Sequence, residues 1–170
     1  MLLSSAARAR SLTALVAVLA LVAPMLLSAT PAQAAVKKPL DIVKVYYNPP
    51  GADHARNSLR NKEYIRVKNT SSSTLTLTGY TIRDSGPWKF TFPKGTKLKK
   101  GKTLTIRSGT GKKSSTTLYW GKPSYIWNNT GDTARLYNAK GKRLETCKYK
   151  GTRKKATKTY VRSTSTTAYC

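Results

Sequence analysis

The chain has 170 residues, of which 32 are Lys or Arg and only 6 are Asp or Glu, a formal net charge of +26. One histidine and two cysteines exclude a zinc site of the Cys/His kind, and six carboxylates scattered singly leave no acid/base dyad or clustered-oxygen calcium site in the sequence. Such an excess of charge attracts polyanions and repels copies of itself, so a monomer is expected, but it says nothing about fold.

Residues 1–34 read as a signal peptide. Arg8 and Arg10 precede the apolar run from Leu12 to Ala23, and Ala32-Gln33-Ala34 gives the small-x-small pattern that a signal peptidase accepts. Cleavage is expected between Ala34 and Ala35, which makes the protein secreted, either extracellular or wall-associated. The alternative is a retained membrane anchor, because the apolar stretch continues past Pro24 to Leu27. Export removes two arginines and leaves 136 residues with 30 basic and 6 acidic side chains, a net charge of +24. That length holds one domain with a single core, predicted over residues 35–150, followed by a basic Ser/Thr-rich extension over 151–170.

The mature chain alternates with period two between turn clusters, and no stretch keeps helical spacing. "DIVKVYYNP" from Asp41 is a first strand. "EYIRVKN" sets Ile65 and Val67 on one face and Arg66 and Lys68 on the other. "TLTLTGYTIRD" alternates Leu75 and Leu77, then Tyr80 and Ile82. Its parity slips at Gly79, where a bulge or a corner between sheets absorbs the extra residue. "WKFTFP" alternates Trp88, Phe90 and Phe92 and ends at Pro93, while "KTLTIRSG" alternates Leu104 and Ile106. "TARLYN" turns Ala134 and Leu136 inward, and "KRLETCKY" closes the series. Short strands with Gly, Pro and Asn punctuation predict an all-β, antiparallel β-sandwich. A closed barrel of the oligonucleotide-binding type is the alternative, since period two fits both.

Between Trp127 and the "TARLYN" strand lies the polar run "NNTGD". Asn128, Asn129 and Gly131 tolerate left-handed backbone angles, and Asp132 can accept from turn amides. The run is therefore read as turn chemistry, with Trp127 as a core anchor, rather than as an active-site loop. Cys147 and Cys170 would close a loop of 22 intervening residues, an internal bridge stabilising by roughly 3 kcal/mol. Two free thiols, or an intermolecular bond through Cys170, are the other readings. The tail from Gly151 is read as disordered by composition. If Cys170 reaches Cys147, the tail folds back and adds an edge strand through "TYVRSTST".

Three pieces in order form a recognisable pattern: "EYIRVKNTSSSTLTLTGYTIRD", then "FTFPKGTKLKKGKTLTIRSG", then "LYWGKPSYIWNNTGDTARLYNAKGK". Together they resemble the lamin tail domain, from about Asp41 to Lys150. The resemblance implies an immunoglobulin-like sandwich of seven to nine strands with no active site of its own. In that family the module makes contacts with proteins or nucleic acid, and in exported bacterial proteins it often accompanies enzymes. The pattern does not extend over the last twenty residues, "GTRKKATKTYVRSTSTTAYC".

The basic residues are the candidate site. "KGTKLKKGK" carries Lys94, Lys97, Lys99, Lys100 and Lys102, and "GTGKKSS" carries Lys112 and Lys113. The tail carries Arg153, Lys154, Lys155 and Lys158. Concentrated in loops among small residues, they suit a phosphate-bearing or sulfated polymer, and the charge exceeds the magnitude of about 2 to 8 that solubility asks of a small domain. Tyr46, Tyr119, Trp120, Tyr125 and Tyr137 offer a second idea, a surface on which sugars or bases stack. His54, with Arg56 and Arg60 holding phosphate, is the one nuclease arrangement available. "GTGKKSS" lacks the spacing and the helix of a phosphate-binding loop. The expectation is a secreted, non-enzymatic module without cofactor or metal that binds anionic polymers: cell-wall teichoic acid, extracellular DNA or acidic polysaccharide. A protein-interaction module of the cell envelope and a small secreted nuclease are the alternatives.

Overall fold

The computed structural model describes residues 38–51, 53–151 and 166–170. The signal-peptide reading and most of the C-terminal extension lie outside the described residues. Strand β1 (Leu40–Tyr46) is followed by a single helical turn, α1 (Asn57–Arg60), and then by β2 (Tyr64–Asn69). Next come β3 (Leu75–Thr76), β4 (Thr81–Arg83), β5 (Lys89–Thr91), β6 (Lys97–Leu98) and β7 (Thr103–Arg107). The remaining strands are β8 (Thr117–Tyr119), β9 (Asp132–Tyr137), β10 (Arg143–Tyr149) and β11 (Thr167–Ala168). Among the described residues no helix is long and apolar enough to cross a membrane.

Two sheets face each other, ordered β11-β1-β2-β7-β8 and β10-β9-β4-β5, with a two-stranded β3-β6 ribbon beside them. This is an immunoglobulin-like β-sandwich, and the closed-barrel alternative falls because the two sheets are not joined into one continuous ladder. Of the eleven strands among the described residues, eight have three or more residues. Burial follows the predicted alternation: Ile65, Val67, Leu104 and Ile106 are buried, while Lys68, between the buried Val67 and Asn69, is exposed. In β1 a register shift between Ile42 and Lys44 moves the buried parity from Leu40 and Ile42 to Val45 and Tyr47, as one extra residue in a strand must. Each large apolar side chain removed from water in this way contributes about 1.5–3 kcal/mol.

Gly79 makes the corner that the parity slip required. Its φ of +77° is costly for any residue with a Cβ, and it lets the chain leave the β3-β6 ribbon and enter the four-stranded sheet at β4. One feature departs from the sequence reading. β8 runs parallel to β7, with Ile106 opposite Leu118, because the chain loops out through residues 108–116 and returns in the same direction. The sandwich is therefore antiparallel except at this edge. A tail strand does form, at Thr167–Ala168, pairing with Tyr46 and Val45 of β1; of "TYVRSTST", the residues before Thr166 lie outside the described residues. The position of this strand has a covalent cause: Cys170 is bonded to Cys147 of β10, with a Cα–Cα distance of 5.7 Å, so the residues just before it reach β1.

Candidate anion-binding groove

The opposite side of the sandwich ends in β5 and β8, three residues each. Two loops flank it. After β5, the Thr96 amide and hydroxyl both donate to the Pro93 carbonyl, at 3.2 and 2.8 Å, and the Gly95 amide donates to the Thr78 hydroxyl at 3.0 Å. This tight turn projects Lys94 and Lys97 outward. Before β8, the Ser114 hydroxyl accepts from the Thr116 and Thr117 amides at 3.3 and 3.1 Å, which fixes the segment bearing Lys113 and Ser115.

Between the two loops lies a cleft of about 310 Å³, rimmed by Lys94, Lys97, Lys113 and Ser115 and floored by Leu104 and Leu118. A second cleft of about 200 Å³ shares Pro93, Lys113 and Leu118 with the first and continues to Phe90 and Tyr119. The two form one groove along the open side of the sandwich. Three candidate lysines from two separate sequence clusters thus converge. Lys99, Lys100 and Lys102 are exposed on the turn that follows β6, and they do not line the groove; nor does the exposed Lys112. Arg153, Lys154, Lys155 and Lys158 lie outside the described residues.

The acids explain why the lysines stand alone. Glu63, Asp84 and Asp132 are buried. Asp41 and Glu145 face Lys38 at 3.9 and 3.2 Å, and Asp53 accepts from the Asn129 side-chain amide at 2.8 Å. Among the described residues none forms an ion pair with a groove lysine.

Glu63 is the residue that sequence reasoning missed. One of its carboxylate oxygens accepts from the Ser108 hydroxyl at 2.5 Å and from the Ile126 and Trp127 amides at 2.7 and 3.2 Å. Burial pushes its pKa up to about 7, against the pull of those three hydrogen bonds. The signal was present: Glu63 shares its parity with Ile65, Val67 and Asn69, all buried, so the alternation itself points it inward. The carboxylate ties β2 to the segment that follows β8.

Asp132 does what the turn reading expected. Its oxygens accept from the Asn128 amide at 3.1 Å, the Thr133 amide at 2.6 Å, and the Ser85 amide and hydroxyl at 3.0 and 2.5 Å. Gly131 carries a φ of +137° in the same turn, and Trp127 is 2 % exposed. The view of the acids as isolated needs correction, because Asp53, Asp84 and Asp132 all line one cleft of about 510 Å³ beside Trp88 and Tyr125. Their sequence separation hid this, since turns from both sheets meet there. Burial raises the Asp84 pKa, and the Asp132 charge adds to it. Among the described residues no group of three His, Cys, Asp or Glu is arranged to hold a metal ion.

The remaining candidates disperse. His54 is exposed, its carbonyl accepting from the Tyr125 hydroxyl at 3.4 Å, and the Arg60 guanidinium is committed to the Ala55 carbonyl. The stacking surface does not assemble. Trp120 is 7 % exposed and packs against Phe90 and Trp127, Tyr46 packs on Tyr64, and Tyr137 lies under Arg83 on the other sheet. The aromatics were distributed to core and rim because a small sandwich needs their area inside.

No curated protein matches the chain. The family model of the lamin tail domain matches residues 33–151, which spans every strand from β1 to β10 and both loops of the groove. With the two-sheet immunoglobulin-like architecture and that continuous match, the chain belongs to the lamin tail domain family.

Proposed function

We propose that this protein is a secreted, non-catalytic module that contacts anionic polymers by charge, with wall teichoic acid, extracellular DNA and acidic polysaccharide as its ligand class. Its family is one of immunoglobulin-like, non-enzymatic binding modules, which supplies the coarse function. The observation that carries the finer reading is the division of charge. Three of the six acids are buried and the other three are held by Lys38 or Asn129, while the described candidate lysines are exposed. The surface is left cationic with almost nothing to neutralise it, and a polyanion gains by releasing its counterions there.

The test is a titration against duplex DNA and against heparin at several salt concentrations. Six phosphate contacts give a log–log salt slope of about −5 with duplex DNA; a flat response overturns the charge-driven reading. Incubating the protein with nucleic acid and divalent metal, beside a His54→Ala variant, is expected to leave the substrate intact in both cases.

A further inference from the structure

The groove on the open side is more than a patch of charge, because its floor is apolar and its rim is cationic. We infer that it seats one phosphate-bearing polyol or sugar unit of the polymer, with the phosphate among Lys94, Lys97 and Lys113 and the carbon chain over Leu104 and Leu118. This inference rests on the charge-driven reading above and narrows it to a site and a chemical class.

Three observations favour that occupant. The lysines come from two loops that the fold brings together around a cleft of about 310 Å³, near the lower end of the volumes that hold small-molecule units. They have no carboxylate partner, so an incoming phosphate replaces water rather than a competing acid. The Ser115 hydroxyl, on the same rim, has no hydrogen-bond partner among the described residues and is available to a ligand hydroxyl. A nucleic acid fits less well. Stacking of bases needs an open aromatic face, yet Phe90 is 6 % exposed and a Cβ at Gly111 would come within 2.4 Å of the Tyr119 ring, so Gly111 lies against that ring. The shared lining at Pro93, Lys113 and Leu118 also gives the chain a path into the second cleft, as consecutive units of a polymer require.

The experiment compares two triple variants that remove equal charge. Lys94→Gln/Lys97→Gln/Lys113→Gln strips the groove, and Lys99→Gln/Lys100→Gln/Lys102→Gln strips the neighbouring turn. Binding is measured against poly(glycerol phosphate), inorganic polyphosphate and single-stranded DNA at several salt concentrations, and the variants are compared at matched salt. The groove triple is expected to lose poly(glycerol phosphate) affinity at least about tenfold more than the turn triple, as expected for lost charge-assisted hydrogen bonds. Ser115→Phe, which fills the cleft without changing charge, is expected to weaken poly(glycerol phosphate) while leaving polyphosphate unchanged. Equal losses in the two triples overturn the groove and leave the charge-driven reading standing. Tighter binding of single-stranded DNA than of poly(glycerol phosphate) through the groove lysines overturns the polyol assignment. Binding that ignores salt in every arm removes both readings together.

Discussion

At one side of the sandwich β10 and β11 stand together, joined by the Cys147–Cys170 bond. The Tyr47 and Asn48 amides donate to the Thr166 carbonyl at 3.1 and 3.4 Å, and Lys44 lies among the rings of Tyr46, Tyr64 and Tyr169 at 5.4–5.7 Å. At the other side β5 and β8 stop after three residues, and the space between them is the groove. An exposed sheet edge invites pairing with another chain, and the two sides answer that hazard differently. The first is covered by the protein's own tail under a covalent tie. The second is kept short and flanked by the cationic Lys89, Lys94 and Lys113, charges of one sign that oppose pairing with a second copy. One side is sealed by the chain itself, and the side proposed above to meet a polyanion is left open.

The sealed side can be broken first. Cys147→Ser is expected to cost about 3 kcal/mol and to lower the melting temperature by about 10 °C, with faster amide exchange at Tyr47 and Asn48 reporting the loss of β11. A variant whose melting temperature is unchanged would show that the tail adds nothing to the fold.

Away from both edges, at the head of the interior strand β2, the buried Glu63 is a second internal tie. The Glu63 pKa lies at about 7 in the folded protein, above its ordinary 4.5. A raised value means that the folded state holds the proton more tightly than the unfolded chain does. The associated stability is therefore fully present below about pH 4.5 and is lost as pH rises through 7, a change of about 3 kcal/mol. Denaturant midpoints measured from pH 4.5 to 8 should fall, and Glu63→Gln should flatten that fall. A Glu63→Gln variant that kept the wild-type pH slope would place the titration elsewhere.

Asp132→Ala removes an acceptor of four hydrogen bonds and is expected to destabilise by about 2 kcal/mol, seen as a lower denaturant midpoint. The groove lysines sit at the other extreme. Their Gln triple is expected to change stability by less than about 0.5 kcal/mol per site while weakening polyanion binding, so that binding and folding separate cleanly between the two sides.

Much of the frame is legible in the sequence. Ile65 and Val67, Leu104 and Ile106, and Ala134 and Leu136 were assigned inward from alternation alone, and all six are buried. The slip at Gly79 and the turn ending in Asp132 were also read correctly, because both depend on local backbone angles and short-range hydrogen bonds. The three-residue β8 was missed, since so short a run shows no period and its parallel partner is set by a loop. The groove was half legible: the sequence marked Lys94, Lys97 and Lys113 as cationic without separating them from Lys99, Lys100 and Lys102.

The amino-acid order by itself determined the pleated scaffold, its buried faces and its excess of positive charge, because these are properties of neighbours along the chain. Only the tertiary structure decided which lysines share a cleft, which acids gather at Asp84 and Asp132, and that Glu63 lies buried beneath Ser108 and Trp127. Those outcomes depend on contacts between residues tens of positions apart, and the way two sheets stack to exclude water sets them.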